Sequence, residues 1–229
     1  MNIALVLAAG KSLRMKSTSG PKQFLKVEGL PIFMYSVKAF QDNPNIDKIL
    51  IVTLKEYVKK VAKETHQHHI DKLHSVIVGG ETRQESSFHG IKALKDIAKD
   101  DDIILIHDAA RPLLNQRIIN DHIIMCQKEK AVMTVISSND TIIKGRDESL
   151  SETLNRDELF IVQTPQSFKY EIILKAHEEA FKNGVKNAFD DASLVNCLGI
   201  DVKFIKGEKT NIKITTPEDL EMVKFYLHK

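Results

Sequence analysis

The chain has 229 residues, with 33 Lys+Arg against 31 Asp+Glu for a formal net charge of +2, and 42% of it is hydrophobic. That apolar content excludes a disordered polymer, and the near balance of charge excludes a protein that holds nucleic acid mainly by bulk charge. Cys126 and Cys197 cannot build a disulfide framework, no Cys-x-x-Cys or Cys/His cluster suggests zinc, and a reducing compartment is expected.

The first apolar run, residues 3–8 (IALVLA), reads as a buried strand. It is far shorter than the roughly 20 residues of a membrane span, and no basic residue precedes it as in a signal peptide. Helical spacing follows at 32–40. Further strands are expected at 48–53 (KILIVT), 75–78 (SVIV), 103–106 (IILI) and 131–136 (AVMTVI), with helical stretches at 56–65, 84–97 and 118–128 between them. Near-continuous apolar strands alternating with helices predict a mostly parallel sheet covered on both faces. Right-handed crossovers make it a doubly wound α/β sandwich.

The pattern changes at residues 137–155 (SSNDTIIKGRDESLSETLN), which are polar, with a turn expected at 144–147 between two short strand-like pieces. Such a hairpin cannot bury a core of its own, so it is expected to project as an arm and pack against a second subunit. The α/β pattern resumes with a strand at 160–163, a helix at 170–183, strands at 202–205 and 212–214, and a closing helix. Thr216 is a good N-cap for that helix, Pro217 suits its first position, and Asp219 sits where a capping-box acid would. Phe33, Phe40, Phe160, Phe168 and both cysteines are expected in the core, and His66, His68 and His69 at a polar helix end. One domain spanning 1–229 is expected, carrying 137–155 as the arm.

In an open parallel sheet, ligands bind outside the carboxyl ends of the strands. After the first strand come Ala8, Ala9 and Gly10, whose small size lets the backbone approach a ligand closely, and then the cations Arg14 and Lys22. The loop is not a phosphate-binding Walker A motif, which needs glycine where Leu5 stands, and no GxGxxG is present. After the third strand, Gly79 and Gly80 allow tight contact with a base or phosphate, and Ser86 on the next helix can point back at them. A plain strand–helix turn with Thr82 as N-cap is the alternative. After the fourth strand, in His107-Asp108-Ala109-Ala110-Arg111-Pro112, the Asp suits a ribose hydroxyl or magnesium, and the Arg suits a phosphate. An Asp–Arg pair that only fixes the loop is the alternative. Lys213 is expected inside the short strand 212–214, where an edge-strand gatekeeper is the competing reading. No GxSxG elbow or Ser/His/Asp set points to acyl transfer.

Together and in this order, LAAGKSLRM, PKQFL, VGGETRQESS, HDAARP, DTIIK, LNRDELF, QTPQSF, DDASL and NIKITTPEDL resemble the nucleotide-sugar-transferase-like cytidylyltransferases over nearly the whole chain. The nearest resemblance is to the 2-C-methyl-D-erythritol 4-phosphate cytidylyltransferase family of non-mevalonate isoprenoid biosynthesis. Ribitol-5-phosphate cytidylyltransferases share most of these segments, but often have Ser-Val in place of Ala109-Ala110.

The resemblance implies a cytoplasmic nucleotidyltransferase with Mg²⁺ and no nucleic-acid or membrane partner. It implies a homodimer in which the arm reaches over the partner's site. Ala8, Ala9, Gly10, Gly80 and Ser86 would contact the cytidine half of CTP, and Asp108 and Ala109 the ribose. Arg14, Lys22 and Lys213 would surround the triphosphate as the catalytic cations. Asp108, Arg111, Thr141, Arg156 and Thr164 would face the acceptor phosphate, with Thr141 and Arg156 supplied by the other subunit. CTP phosphates would carry most of the magnesium coordination, with Asp108 as a candidate protein ligand. The acceptor implied is methylerythritol phosphate, with ribitol 5-phosphate as the alternative, and a non-catalytic nucleotide-binding module is the rival of another class.

Two departures stand out. The family usually reads AAGxGxRM, and Ser12 stands where its second glycine would. Phe189 stands where the family's acceptor-site threonine usually precedes the Asp of this motif, which bears on the acceptor more than on the reaction.

Overall fold

A computed structural model describes residues 1–11 and 20–228. In chain order the elements are β1 (Asn2–Ala8), β2 (Lys26–Val27), β3 (Leu30–Pro31), α1 (Ile32–Gln41), β4 (Lys48–Thr53), α2 (Val58–Gln67), β5 (Leu73–Val78) and α3 (Arg83–Ala93). They continue with β6 (Ile103–Asp108), α4 (Gln116–Lys128), β7 (Ala131–Ser137), β8 (Ile143–Arg146), β9 (Ser149–Thr153), β10 (Phe160–Lys169), α5 (Tyr170–Lys182), α6 (Asp191–Asn196), β11 (Lys203–Lys206) and α7 (Pro217–Leu227).

The main sheet runs β11-β7-β10-β6-β1-β4-β5. β1 pairs parallel with β4 and β6, β4 with β5, and β11 with β7, while β10 runs antiparallel between β6 and β7. This is the mostly parallel, doubly wound sheet that the strand–helix alternation predicts. β1 shows why its sequence is apolar at every position. Ala4, Val6 and Ala8 pack on one face with α1, α2 and α4, and Ile3, Leu5 and Leu7 pack on the other with α3, α5 and α6. A strand buried on both faces has no polar side to display. Gly90 brings α3 close to the sheet: a Cβ there would lie 2.5 Å from Leu5 Cδ1. A third, smaller cluster of Val27, Ile32, Ile214 and Val223 docks α7 and the segment before it.

Both expected caps are in place. Thr82 and Glu85 form a capping box on α3, and Thr216 and Asp219 form one on α7, with Pro217 in the first turn. Other expectations need correction. Residues 212–214 are a loop, not a strand, because Ile212 N–H turns back to Thr210 O and Ile214 N–H donates to Ala110 O, and no ladder forms. The helix expected at 84–97 ends at Ala93. The strand expected at 160–163 runs on to Lys169, and the Gln163–Gln166 segment is a register shift inside it, where Pro165 has no N–H to offer a ladder. β10 therefore returns directly alongside β7, Phe160 opposite Ser137, and the arm is the elaborated tip of a long β7–β10 hairpin.

Within the arm the turn falls at Asp147–Glu148, not 144–147. Their φ values of 51° and 60° are those a two-residue hairpin loop requires. Phe160 is 43% exposed rather than a core residue: the first three positions of β10 are exposed, and its ring meets that of exposed Phe204 at 5.3 Å. Cys126 is buried as expected, but Cys197, the C-cap residue of α6, is exposed. Among the described residues, no helix is long and apolar enough to cross a membrane.

Candidate active site

The chain leaves β1 through α1 on one face of the sheet and comes back through α3, on the other face, to β6 on β1's opposite side. The strand order thus reverses between β1 and β6, and the crevice outside their carboxyl ends is the natural place for a ligand. A cleft of about 380 Å³ opens there. The end of β1 with the loop after it (residues 7–11), Lys22 and Gln23 form one wall, and 81–83 with Ser86 another; Asp108, Ala110, Lys213 and Thr215 also line it.

The first wall is small-residue backbone, stiffened from outside. Gln23 Nε2 donates to Ala8 O (2.7 Å) and Gly10 O (2.9 Å), and Gln23 is itself buried. The turn that carries Lys22 and Gln23 (Lys22–Phe24) is pinned by Phe24, whose ring stacks on Tyr57 at 4.0 Å. Ala8 is buried, Ala9 half-buried and Gly10 exposed, so the loop emerges from the core into the cleft. The opposite wall depends on the paired glycines. A Cβ on Gly79 would meet Ala9 Cβ at 2.6 Å, and one on Gly80 would meet Glu85 Cβ at 2.3 Å. Ser86 does point back at this turn, its Oγ accepting from Gly80 N–H at 3.1 Å. Lys11 and Glu81 join the two walls through an exposed ion pair of 2.5 Å.

At the base of the cleft, Asp108 is held by three elements. Its backbone N–H donates to Thr164 Oγ1 of β10 (3.1 Å), Lys213 Nζ lies 2.7 Å from Oδ2, and Arg83 Nε lies 3.2 Å from Oδ1. Burial works to raise the Asp108 carboxyl, but Arg83, then Lys213 and Arg111, outweigh it and hold the group well below the usual carboxylate range. Burial pulls neighbouring His107 down to about 4, so it is neutral near pH 7 and sits as a spacer between Thr164 Oγ1 and Arg111 O. The cleft therefore offers fixed positive charge and two carboxylates, Asp108 at its base and Glu81 at its rim paired with Lys11, with backbone open to a ligand.

The remaining expected site residues divide. Ala109 is buried directly behind Asp108. Arg111 is buried too, and its guanidinium donates to Asn211 O (2.7 Å) and Val162 O (3.2 Å), while Asp108 is paired with Arg83 and Lys213 instead. Arg111 thus braces the segment that carries Lys213: Asn211 is locked by Thr164 O and Gln163, and Ile214 by Ala110. Thr164 is buried with its hydroxyl engaged by Asp108 N–H and His107. Thr141 and Arg156 are exposed in the arm and just after it. Arg156 lines a separate recess with Ser137, Ser138, Asn139 and Asp157, so the single chain does not bring either residue to the cleft. Arg14 and Ser12 lie outside the described residues.

Sequence reasoning passed over two residues that build this site. Gln23 stood inside PKQFL and Arg83 inside GGETRQESS, both quoted for their neighbours. The reach of Arg83 across to Asp108 and to Asp191 (Nη1–Oδ2 2.7 Å) is a property of how α3 sits between β6 and α6, which spacing does not encode.

Comparison with known proteins agrees with this geometry. The family model for 2-C-methyl-D-erythritol 4-phosphate cytidylyltransferase matches residues 2–229. A 2-C-methyl-D-erythritol 4-phosphate cytidylyltransferase of Clostridium novyi is 43% identical over 96% of this chain and 94% of its own length. A ribitol-5-phosphate cytidylyltransferase of Streptococcus agalactiae is 34% identical over 98% of this chain and 94% of its own length. Among solved structures, a 4-diphosphocytidyl-2C-methyl-D-erythritol synthase from Anaerococcus prevotii superposes with a TM-score of 0.85 at 29% identity, covering 100% of this chain and 96% of that one.

Proposed function

The chain belongs to the 2-C-methyl-D-erythritol 4-phosphate cytidylyltransferase family, and we propose that its cleft joins CTP to that polyol phosphate, giving 4-diphosphocytidyl-2-C-methyl-D-erythritol and pyrophosphate. It is a nucleotidyltransferase of isoprenoid biosynthesis. The observation that carries the reading is the convergence of Lys22, Lys213 and Asp108 on one cleft at the switch point, beside a small-residue loop.

The acceptor's phosphate oxygen attacks the α-phosphorus of CTP in line with departing pyrophosphate. A phosphate monoester is already largely ionised near pH 7, so no general base is needed. Rate enhancement comes from positioning and from charge placed where it develops. Lys22, with Arg14, offsets charge on the leaving pyrophosphate, and Lys213 steadies the crowded α-phosphate. Ala8, Ala9, Gly10, Gly80 and Ser86 seat the cytidine, with Asp108 and Ala109 at the ribose.

Among the described residues, no three His, Cys, Asp or Glu side chains stand together as a metal cage. Mg²⁺ is commonly held by one or two carboxylates plus substrate phosphates. CTP phosphates would carry most of its coordination, beside Asp108, whose two oxygens already face Lys213 and Arg83. Bound there, the ion would neutralise phosphate charge.

The arm supports assembly with a second copy. Among the described residues its strands pair only with each other, Ile143 and Leu150 are exposed on it, and Phe160, Ile161, Val162 and Phe204 are exposed beside it. A lone two-stranded hairpin is marginal in water. In the homodimer the partner's Thr141 and Arg156 complete the acceptor side, together with Arg111 and Thr164 behind Asp108. The biosynthetic role fits a cytoplasmic enzyme.

A second reading, ribitol 5-phosphate as acceptor, draws on the Streptococcus agalactiae relative and on Phe189, which is 97% exposed where the family usually has a threonine. Pyrophosphate release from CTP, measured with methylerythritol phosphate and ribitol 5-phosphate side by side, separates the two. Faster release with ribitol 5-phosphate reverses the assignment, and release with neither overturns the reading.

A further inference from the structure

We propose that Arg83 is a positioning residue that allows Asp108 to release Lys213 to the reacting phosphate. The proposal rests on the functional reading of the cleft. In the structure Lys213 is already paired, with Nζ 2.7 Å from Asp108 Oδ2. A lysine that steadies a phosphate must exchange that carboxylate for phosphate oxygens. If Lys213 were the only cation on Asp108, the exchange would strand a carboxylate whose side chain is 10% exposed, and buried unpaired charge is strongly disfavoured. Arg83 removes that obstacle by holding the other oxygen, Nε to Oδ1, at 3.2 Å.

Arg83 is able to do this because its far end is anchored away from the cleft. Nη1 lies 2.7 Å from Asp191 Oδ2, and Asp191 is 1% exposed. That carboxylate also accepts from Ser87 Oγ at 2.6 Å and lies 3.0 Å from His177 Nε2. The backbone N–H groups of Asp191 and Ala192 both donate to Gln166 Oε1, at 3.1 Å each. The guanidinium is thus held from the α5–α6 side of the sheet and reaches through to the cleft, where Arg83 itself lines the wall. Its Nη2 is buried with no hydrogen-bond partner among the described residues, which leaves a donor in reserve as Asp108 shifts. Arg111 adds positive charge near Asp108 but donates to Asn211 O and Val162 O, so Arg83 and Lys213 are the cations bonded to that carboxylate. When an anionic ligand draws Lys213 away, Arg83 stays between the two carboxylates.

The alternative is a pin that only fixes α3 to α6, and the test separates the two. Pyrophosphate-release kinetics are measured on the full chain with Arg83→Gln, Arg83→Lys and Asp191→Asn, alongside thermal melts. Arg83→Gln lowers kcat by about 100-fold, as expected for misplacing a reacting-site group, with the KM for CTP within about threefold. Arg83→Lys recovers on the order of tenfold of that loss, because charge is restored without the fork geometry. A folded Arg83→Gln protein with kcat within about twofold of the parent, or a melting loss shared with Asp191→Asn and no kcat change, overturns the proposal.

A second measurement does not depend on transfer or on Arg83→Gln turnover. Lysines are reductively ¹³C-methylated, and the Lys213 signal, assigned with Lys213→Arg, is followed on adding Mg·CTP. It shifts in the parent and stays at its resting position in Arg83→Gln. Should Arg83→Gln not fold, Arg83→Lys is read in its place and shows an intermediate shift. Equal shifts in parent and variant, or no shift in the parent, overturn the proposal. A parent that releases no pyrophosphate with either acceptor overturns the functional reading alone, because the Lys213 signal still reports the exchange.

Discussion

The two ends of the β7–β10 hairpin are built on opposite terms. At the inner end, Thr164, Gln166 and Phe168 are buried, and every functional side chain nearby has an internal partner: Asp108 has Arg83 and Lys213, Arg111 has two carbonyls, and Asn211 has Thr164 O. At the outer end, β8 and β9 are exposed at every residue, and Phe160, Ile161 and Val162 face outward. The difference teaches where each function can be completed. Charges at the cleft are placed before any ligand arrives, which is what electrostatic preorganisation requires. The arm's apolar residues and Arg156 have no such setting within one chain, and they gain one only against another surface.

The contrast is sharpened first at the cleft. Lys213→Ala is expected to cost on the order of 100-fold or more in kcat, as for an oxyanion donor. Its melting temperature should move little, because Arg83 remains on Asp108. Near-normal turnover in pyrophosphate-release assays would break the cleft half of the comparison. At the arm, Arg156→Ala is expected to raise the KM for the acceptor about 10- to 100-fold, the worth of a charged hydrogen bond, with the KM for CTP unmoved. Mixing Lys213→Ala with Arg156→Ala protein should restore roughly a quarter of parent activity at low acceptor, since half the random dimers would carry one intact composite site. No restoration on mixing would mean that each arm serves its own cleft.

Smaller effects lie in the scaffold. Gly90→Ala places a methyl 2.5 Å from Leu5 Cδ1 behind β1. It should cost about 1–3 kcal/mol of stability, read by denaturant unfolding, while both KM values hold. A stability-neutral Gly90→Ala would show that α3 is free to lift from the sheet. Smallest of all, Cys197→Ser should change stability by no more than about 0.5 kcal/mol. Thiol labelling of the native chain should modify Cys197 and spare Cys126, whose thiol burial pushes up to about 12.

Local chemistry was readable in the chain wherever one segment carried its own instruction. Apolar strands at β1, β4 and β6 stated a sheet buried on both faces. Thr82 with Glu85, and Thr216 with Asp219, stated two helix starts. Gly79 and Gly80 stated a tight turn, and HDAARP marked a strand end with chemistry on it. Cys197 and Phe160 misled, because an apolar residue on a short element shows its type and not which side of that element is covered. Lys213 was recognised as important but assigned to a strand, because alternation in 212–214 looks the same whether the partner is a ladder or a single carbonyl of Ala110.

The parallel α/β frame, its caps and the loops that end at the ligand crevice follow from the chain alone, since periodicity and capping act over a few residues. Only the tertiary structure decided which charges meet. Arg83 finds Asp108 25 residues away and Asp191 108 residues away, and Lys213 finds Asp108 across 105. Such pairings depend on strand order and on which face each helix covers, and no local pattern carries that information.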